Sequence, residues 1–305
     1  MDVSADEFAI SGAPLSHRLG RRLEEYALLA RLDRPVGTWL LLWPALWALW
    51  IAGAGHPDQK VLIVFVIGVI VMRAAGCVIN DFADRNIDPY VRRTRDRPLA
   101  ARRVSPREAL VLFAVLVGIA LYLVTFLDPL TIKLAFIGGA LTVSYPFVKR
   151  IFPMPQLYLG ISFGGWSVPM AFSAQVGVLP RVSWVLYLAA VIWAAVYDTL
   201  YAMVDREDDL KIGVKSSAIL FADLDKLLIL AMQAMMLFAL VLIGRDLRFG
   251  LWYYGGLAAA GALFLYQQWL IRDREPAGCL RAFLNNRYVG MAIFVGILLQ
   301  YIYAR

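Results

Sequence analysis

"VLIVFVIGVIVMRAAGCVINDFADRNIDPYVRRTRDRPLA" runs from Val61 to Ala100, and its two halves have opposite chemistry. The apolar part, roughly 61–80, has the length a helix needs to cross a bilayer core. It ends in Asn80, Asp81, Asp84 and Asp88, and arginines follow at once. On a helix continuing past the apolar run, Asn80, Asp84 and Asp88 fall at i, i+4 and i+8 and share one face. Asp81 lies one step round, and Arg73 lies seven residues before Asn80, on roughly the same face but deeper.

Composition agrees with a membrane location. Of 305 residues 61% are hydrophobic and 17% charged, against about 45–50% and about 25% in soluble domains. The first 36 residues are polar and include Arg18, Arg21, Arg22, Arg31 and Arg34, with no cleavable signal peptide apparent. They form an expected cytoplasmic segment, 1–36, ahead of one transmembrane domain, 37–305. Cys77 and Cys279 are too few for a disulfide framework, and His17 and His56 stand alone, so no cysteine or histidine metal site is expected.

Nine apolar segments can be marked, at roughly 37–54, 61–80, 109–127, 130–148, 157–176, 183–204, 227–244, 250–270 and 287–303. Backbone groups in lipid must be satisfied within the segment, which favours helices, and the runs lack the period-two alternation of a barrel. With the N-terminus in the cytoplasm, Lys and Arg divide 23 to 5 in favour of the cytoplasmic segments. That asymmetry fixes the orientation and puts Arg305 outside. The net charge of +7 sits in juxtamembrane loops. Membrane lipid headgroups or an anionic substrate therefore suit it better than nucleic acid.

A second acidic cluster, "YDTLYAMVDREDD", follows the sixth segment from Tyr197 to Asp209. Asp198, Tyr201, Asp205 and Asp209 again share a helical face. Asp84 and Asp205 are 121 residues apart, as are Asp88 and Asp209. The repeat suggests two related four-helix units plus a ninth helix, with both clusters on the cytoplasmic side. Converging carboxylates repel unless a cation lies between them. Carboxylate oxygens and an Asn carbonyl suit hard Mg²⁺, which binds through a few carboxylates plus substrate phosphates. Arg85, Arg92, Arg93, Arg95 and Arg97 are placed to hold the same phosphates.

Other signals have plain readings beside functional ones. In "SYPFVKR", Ser144 to Arg150, Pro146 is a candidate helix breaker, and Lys149 and Arg150 either anchor the span or reach a phosphate. Arg34 in "RLDRPVG" is an anchor by default. Trp39, Trp43, Trp47 and Trp50 form a stripe expected to face lipid or the interface. Lys133 is expected to snorkel. Intramembrane acids in a pseudo-repeat also suit a cation- or proton-coupled transporter. Such sites lie near the midplane, whereas these acids gather at one edge beside bases.

Together "DRPVGTWLLLWPALWALW", "MRAAGCVINDFADRNID", "YPFVKR", "YDTLYAMVDREDDLKIGVKSSAILF" and "NNRYVG" resemble the membrane-embedded aromatic prenyltransferases of the UbiA superfamily. Within it they are most similar to the branch that prenylates 4-hydroxybenzoate in ubiquinone biosynthesis. The likeness runs from about Arg31 to Tyr301. It implies an all-α integral membrane protein of nine helices around a central cavity, in a bacterial inner membrane. It also implies Mg²⁺ bridging a polyprenyl diphosphate to the acidic motifs through Asn80, Asp84, Asp88, Asp205 and Asp209. By the same resemblance Lys149 and Tyr145 contact the diphosphate, with Arg150, Arg93 and Arg97 as further candidates. Arg34 lies near the aromatic acceptor, and Arg73 is the alternative by its helical phase. Tyr201 offers an aromatic face to the allylic cation. Asp198 or Asp81 takes the proton lost from the ring. Homogentisate or a dihydroxynaphthoate stands as the alternative acceptor.

Overall fold

The structure, a computed structural model, describes residues 15–91, 94–148, 151–152, 154–212 and 217–303, and the side chains of 15, 18 and 207–212 lie outside the described set. All regular elements among these residues are helical. Six helices are long and apolar enough to cross a membrane: Gln59–Asp84, Pro106–Val124, Pro129–Val148, Arg181–Arg206, Ala222–Asp246 and Pro276–Tyr303. The remaining three of the nine expected segments depart from a plain span in different ways. Val36–Ala52 has 17 residues. Leu251–Leu270 has the length, but its three tyrosines and two glutamines dilute the hydropathy. The segment expected at 157–176 is broken into a short helix Pro155–Leu159, a π turn Gly160–Gly164 and a helix Ser167–Val176.

The chain divides into two compact units. One contains the described residues up to Pro35 together with Met72–Gly118, and the other Val36–Val71 together with the described residues from Ile119. The helix Gln59–Asp84 is continuous and contributes its two ends to different units.

In the first unit the polar N-terminal segment is an ordered helix, Leu15–Leu29. Leu29, Val78, Leu99, Val104 and Ala109 form a small buried core, flanked by Tyr26 and Phe82. The helix Pro106–Val124 begins with a capping box. Glu108 N–H donates to Ser105 Oγ at 3.3 Å, and Ser105 N–H donates to Glu108 Oε2 at 2.9 Å. Pro106, which has no N–H to leave unsatisfied, occupies the first helical position. Glu108 also accepts a hydrogen bond from Tyr26 Oη at 3.0 Å and pairs with Arg22 at 3.4 Å, so the cap fastens the N-terminal helix to this unit.

In the second unit the tryptophan stripe turns inward, contrary to its expected lipid-facing role. Trp43 and Trp47 are buried, and only Trp39 is largely exposed, at 42%. Trp47 Nε1 donates to the carbonyl of Gly290 at 3.0 Å. A Cβ on Gly290 would stand 2.2 Å from Trp43 Cδ1, so the helix Pro276–Tyr303 approaches closely only because that position is glycine. Trp193 Nε1 donates to Asn286 Oδ1 at 2.9 Å, and its ring lies 5.2 Å from Trp47. Trp47 and Trp193 thus bury their rings and satisfy their donors. Buried amides link three helices. Gln233 donates to Gln267 at 2.9 Å, Gln267 to Asn285 at 3.0 Å, and Gln268 to Gln233 at 3.0 Å. Interhelical amide bonds of this kind suit a medium that offers no water to a backbone or side-chain dipole. Pro146 does not break its helix: Pro129–Val148 runs through it, because a proline two residues before the end removes one donor in the last turn only.

Candidate active site

The first acidic motif lies in the first unit. The helix Gln59–Asp84 carries Asn80, Asp81 and Asp84 out to its last turn, and Asp88 follows in a 3₁₀ turn, Asp88–Tyr90. The i, i+4 spacing holds: Asn80 Nδ2 donates to Asp84 Oδ2 at 3.2 Å. Asp81, one step round the helix, is buried at 1% exposure and accepts from Arg31 at 2.6 Å and from Arg97 at 3.0 Å. The same Arg97 nitrogen reaches Asp88 Oδ2 at 3.0 Å. Asp88 lies outside the helix yet is buried, and Thr94 Oγ1 donates to its backbone carbonyl at 2.9 Å. Burial pushes the Asp88 carboxyl above the ordinary carboxylate range; Arg97 draws it back, and Asp81 and Asp84 push it further up.

Two sequence assignments change character on this geometry. Asp81, read as a proton acceptor, is a buried brace between two guanidinium groups. Arg97, read as a diphosphate contact, already holds Asp81 and Asp88. The sequence marks Arg31 only as a charge of the N-terminal segment. Its backbone is left-handed, at φ 54°, just past the end of the N-terminal helix, a conformation uncommon outside glycine.

Arg73 and Arg34 also separate. Arg34 is largely exposed and pairs with its neighbour Asp33 at 3.4 Å. Arg73 is half-buried in the helix Gln59–Asp84, and its guanidinium meets the Cys77 thiol and, at 3.5 Å, the Ala30 carbonyl.

The second motif lies in the second unit, on the 32-residue helix Arg181–Ile212. Asp198, Tyr201 and Asp205 are all partly buried, and the side chain of Asp209 lies outside the described set. The Tyr201 ring packs 4.9 Å from Phe283, which also touches Tyr197 at 6.4 Å, so an aromatic wall adjoins the acids. Thr199 accepts from Ser217 Oγ at 2.9 Å, tying the helix to the segment after it. Asp225, fully buried, pairs with Arg206 at 3.4 Å and with Arg274 at 2.8 Å. No spacing rule singled out Asp225; the available signal was an acid in the first turn of an apolar helix. Tyr145 stacks on Tyr158 at 6.5 Å and meets Phe163 at 5.7 Å. Arg93, Lys149 and Arg150 lie outside the described residues.

Among the described residues no three acidic, histidine or cysteine side chains are clustered closely enough to hold an ion by themselves. Asn80 and Asp84 nevertheless form an adjacent pair of hard oxygen donors. That donor chemistry fits Mg²⁺, whose remaining positions are commonly filled by water and substrate phosphate.

The UbiA prenyltransferase family matches residues 41–299. The chain belongs to that family. It is 57% identical, over 92% of its length and 95% of the relative, to a 4-hydroxybenzoate octaprenyltransferase of Alkalilimnicola ehrlichii. A relative with the same description in Nitrosococcus oceani is 58% identical over 93% of this chain and 99% of its own. Among solved structures, a UbiA homologue from Aeropyrum pernix superposes with a TM-score of 0.75 at 25% identity, covering 86% of this chain and 97% of that one. A UbiA homologue from Archaeoglobus fulgidus, bound to GPP and Mg²⁺, superposes with a TM-score of 0.68 at 17% identity, over 91% and 99%. The protein is thus an integral membrane prenyltransferase, and the transporter alternative falls.

Proposed function

We propose that this protein transfers a polyprenyl group from polyprenyl diphosphate to 4-hydroxybenzoate, ortho to the hydroxyl, in ubiquinone biosynthesis. The products are 3-polyprenyl-4-hydroxybenzoate and diphosphate. We place the reaction at the cytoplasmic face of a bacterial inner membrane, in line with the 23-to-5 distribution of Lys and Arg. Two relatives above half identity carry that acceptor in their descriptions. The observation that carries the acceptor assignment in this chain is Arg73. Among the described residues this half-buried guanidinium hydrogen-bonds to the Cys77 thiol and the Ala30 carbonyl and makes no direct carboxylate contact, which suits it to an incoming carboxylate. Arg34, exposed and paired with Asp33, is the weaker candidate.

Asn80, Asp84 and Asp88 of the first motif, and Asp205 and Asp209 of the second, are the residues we assign to Mg²⁺. When bound, Mg²⁺ supplies positive charge for the departing diphosphate. Lys149, Arg150 and Arg93, with the Tyr145 hydroxyl, are assigned to the diphosphate oxygens. The allylic C–O bond breaks with its electron pair leaving on the diphosphate. The Tyr201 face, backed by Phe283, stabilises the allylic cation. The ring carbon ortho to the phenol forms the new C–C bond and then loses its proton. With Asp81 committed to two arginines, we assign that proton to Asp198.

The test supplies detergent-purified protein with geranyl diphosphate, Mg²⁺ and one acceptor at a time. 4-Hydroxybenzoate should give the highest kcat/KM and its methyl ester a low one, and Arg73→Gln should narrow that difference. A higher kcat/KM with homogentisate or 1,4-dihydroxy-2-naphthoate would overturn the acceptor assignment. An Arg73→Gln enzyme that still rejects the ester would return the carboxylate to Arg34.

A further inference from the structure

The helices Arg181–Ile212 and Asp225–Asp246 pack side by side in the second unit. They run antiparallel: Arg206 of one meets Asp225 of the other at one end, and Arg181 and Arg245 line a common cavity at the opposite end. Asp205 lies 24 residues on from Arg181, about 36 Å along a helix at a rise of about 1.5 Å per residue. The cavity is therefore on the membrane face away from the second acidic motif. Its volume is about 320 Å³, and its lining includes Arg181, Arg245 and Asp246 with the aliphatic Val182, Val185 and Leu242.

Two cations are out of place here. By the sequence division this face receives 5 of the 30 Lys and Arg, and two of those five share one cavity. Arg245 lies in the last turn of its helix, where a cation is favoured, but Arg181 opens its helix, where the positive end of the dipole disfavours one. Among the described residues neither arginine forms an ion pair, with Asp246 or with any other acid. An exposed apolar stripe runs from each arginine toward the middle of its helix. Trp184 and Leu188 lie three and seven residues from Arg181, and Leu242 and Phe238 lie three and seven residues from Arg245. Those spacings keep each stripe on the face of its arginine. Trp184, one turn from the helix end, has the place of an interfacial tryptophan.

We propose that this cavity binds the headgroup of an anionic glycerophospholipid, of the phosphatidylglycerol type, in the leaflet opposite the second acidic motif. The two guanidinium groups meet the phosphate diester as charge-assisted donors. Asp246, a carboxylate that only accepts, takes hydrogen bonds from the free hydroxyls of the headgroup. Two arginines and one aspartate carry one net positive charge, which one diester neutralises. The acyl chains lie along the two exposed stripes, so charge and chain are recognised together. A free phosphate would use the arginines and leave the stripes unread.

Native mass spectrometry of the full chain, released from detergent micelles supplied with one phospholipid at a time, counts the lipid retained. Unmutated protein should retain phosphatidylglycerol over phosphatidylcholine of the same acyl chains by about tenfold, the scale of one charge-assisted hydrogen bond. Arg181→Gln and Arg245→Gln should each bring that ratio close to one. Both arginines are exposed, so either variant should stay monodisperse. Arg248→Gln removes the same charge from the same face, at an exposed residue outside the cavity lining, and should keep the unmutated ratio. Inorganic phosphate at matched concentration should displace none of the lipid. Equal retention of the two lipids by unmutated protein overturns the proposal, as does a loss in Arg248→Gln as large as in the cavity variants. Displacement by inorganic phosphate overturns it in favour of a site for the free ion. Retention of phosphatidylethanolamine above phosphatidylglycerol overturns it in favour of an ammonium group held by Asp246.

Discussion

The two acidic motifs share a spacing but gather their arginines differently. In the first unit the organising acid is a motif residue: Asp81 holds Arg31 and Arg97, and Arg97 goes on to Asp88. In the second unit the organising acid stands outside the motif. Asp225, 16 residues beyond Asp209 and in the first turn of the next long helix, holds Arg206 and Arg274. Matching D-x-x-x-D patterns therefore do not make the motifs equivalent. The first motif combines bracing and ligation in one run of nine residues, 80–88. The second leaves bracing to a neighbouring helix, so its stability and its chemistry are separable by mutation.

The largest effect should come from the residues the two motifs have in common. Asp84→Asn and Asp205→Asn each remove a charge that the proposed Mg²⁺ needs, and each should lower kcat by about 10²–10³-fold or more. Both proteins should still insert and stay monodisperse, and chelation by EDTA should silence the native protein to the same degree. Normal turnover in either variant would remove that motif from the metal scheme.

Asp81→Asn and Asp225→Asn then separate the motifs. Each strips a fully buried carboxylate from two guanidinium groups, and breaking a buried pair on one side typically costs about 3–5 kcal/mol. Thermal unfolding in detergent should show a comparable loss for both. Turnover per folded molecule should not be comparable. Asp81→Asn releases Arg97 from one of its two acids, beside Asp88, and should lower kcat about tenfold or more. Asp225→Asn should stay within about threefold of native. Equal kinetic losses would mean that the second motif is braced as directly as the first.

The sequence carried the helical class, the membrane location and both acidic motifs, because hydropathy and i, i+4 spacing are local properties. The Asn80–Asp84 contact follows from spacing alone. What stayed hidden depends on contacts between residues far apart in the chain. Arg31 meets Asp81 across 50 positions, and Arg274 meets Asp225 across 49. No periodicity marks such pairs. The inward turn of the tryptophan stripe is hidden for a related reason. Lipid and a protein interior are both apolar, and hydropathy does not tell them apart; Gly290 on a distant helix decides which way Trp43 and Trp47 face. The π turn at Gly160–Gly164 was likewise invisible in a segment that reads as a continuous apolar span.

A smaller effect tests how the Asp225 node divides its work. Arg274 makes three hydrogen bonds to Asp225, with its Nε at 3.1 and 3.0 Å and an Nη at 2.8 Å, and also donates to the Asp223 carbonyl. Arg206 makes one, at 3.4 Å. Arg274→Gln should therefore destabilise by about 1–3 kcal/mol, the range for charged hydrogen bonds lost beside a buried acid. Arg206→Gln should cost less. The reverse order would place the brace on the motif helix and bring the second unit closer to the first.

The smallest effect belongs to the acid that starts a helix in the first unit. Glu108 and Asp225 both lie in the first turn of a long apolar helix, where a carboxylate interacts favourably with the unsatisfied N–H groups. They differ in surroundings. Glu108 keeps 31% of its side chain exposed, and its partner Arg22 keeps 52%, while Asp225 is fully buried. Exposed ion pairs contribute little after screening and side-chain ordering. What Glu108 retains is the reciprocal cap with Ser105 and the Tyr26 hydroxyl bond. Ser105→Ala removes half of that box and should cost about 1 kcal/mol, as cap deletions do. Added salt should change that cost only slightly, since the bond lost is to a hydroxyl. Thermal unfolding of Ser105→Ala at low and high salt, beside Asp225→Asn, makes the comparison. A loss for Ser105→Ala as large as that for Asp225→Asn would mean that the N-terminal helix, fastened through Glu108 to Tyr26 and Arg22, is as essential to its unit as the buried acid is to the other.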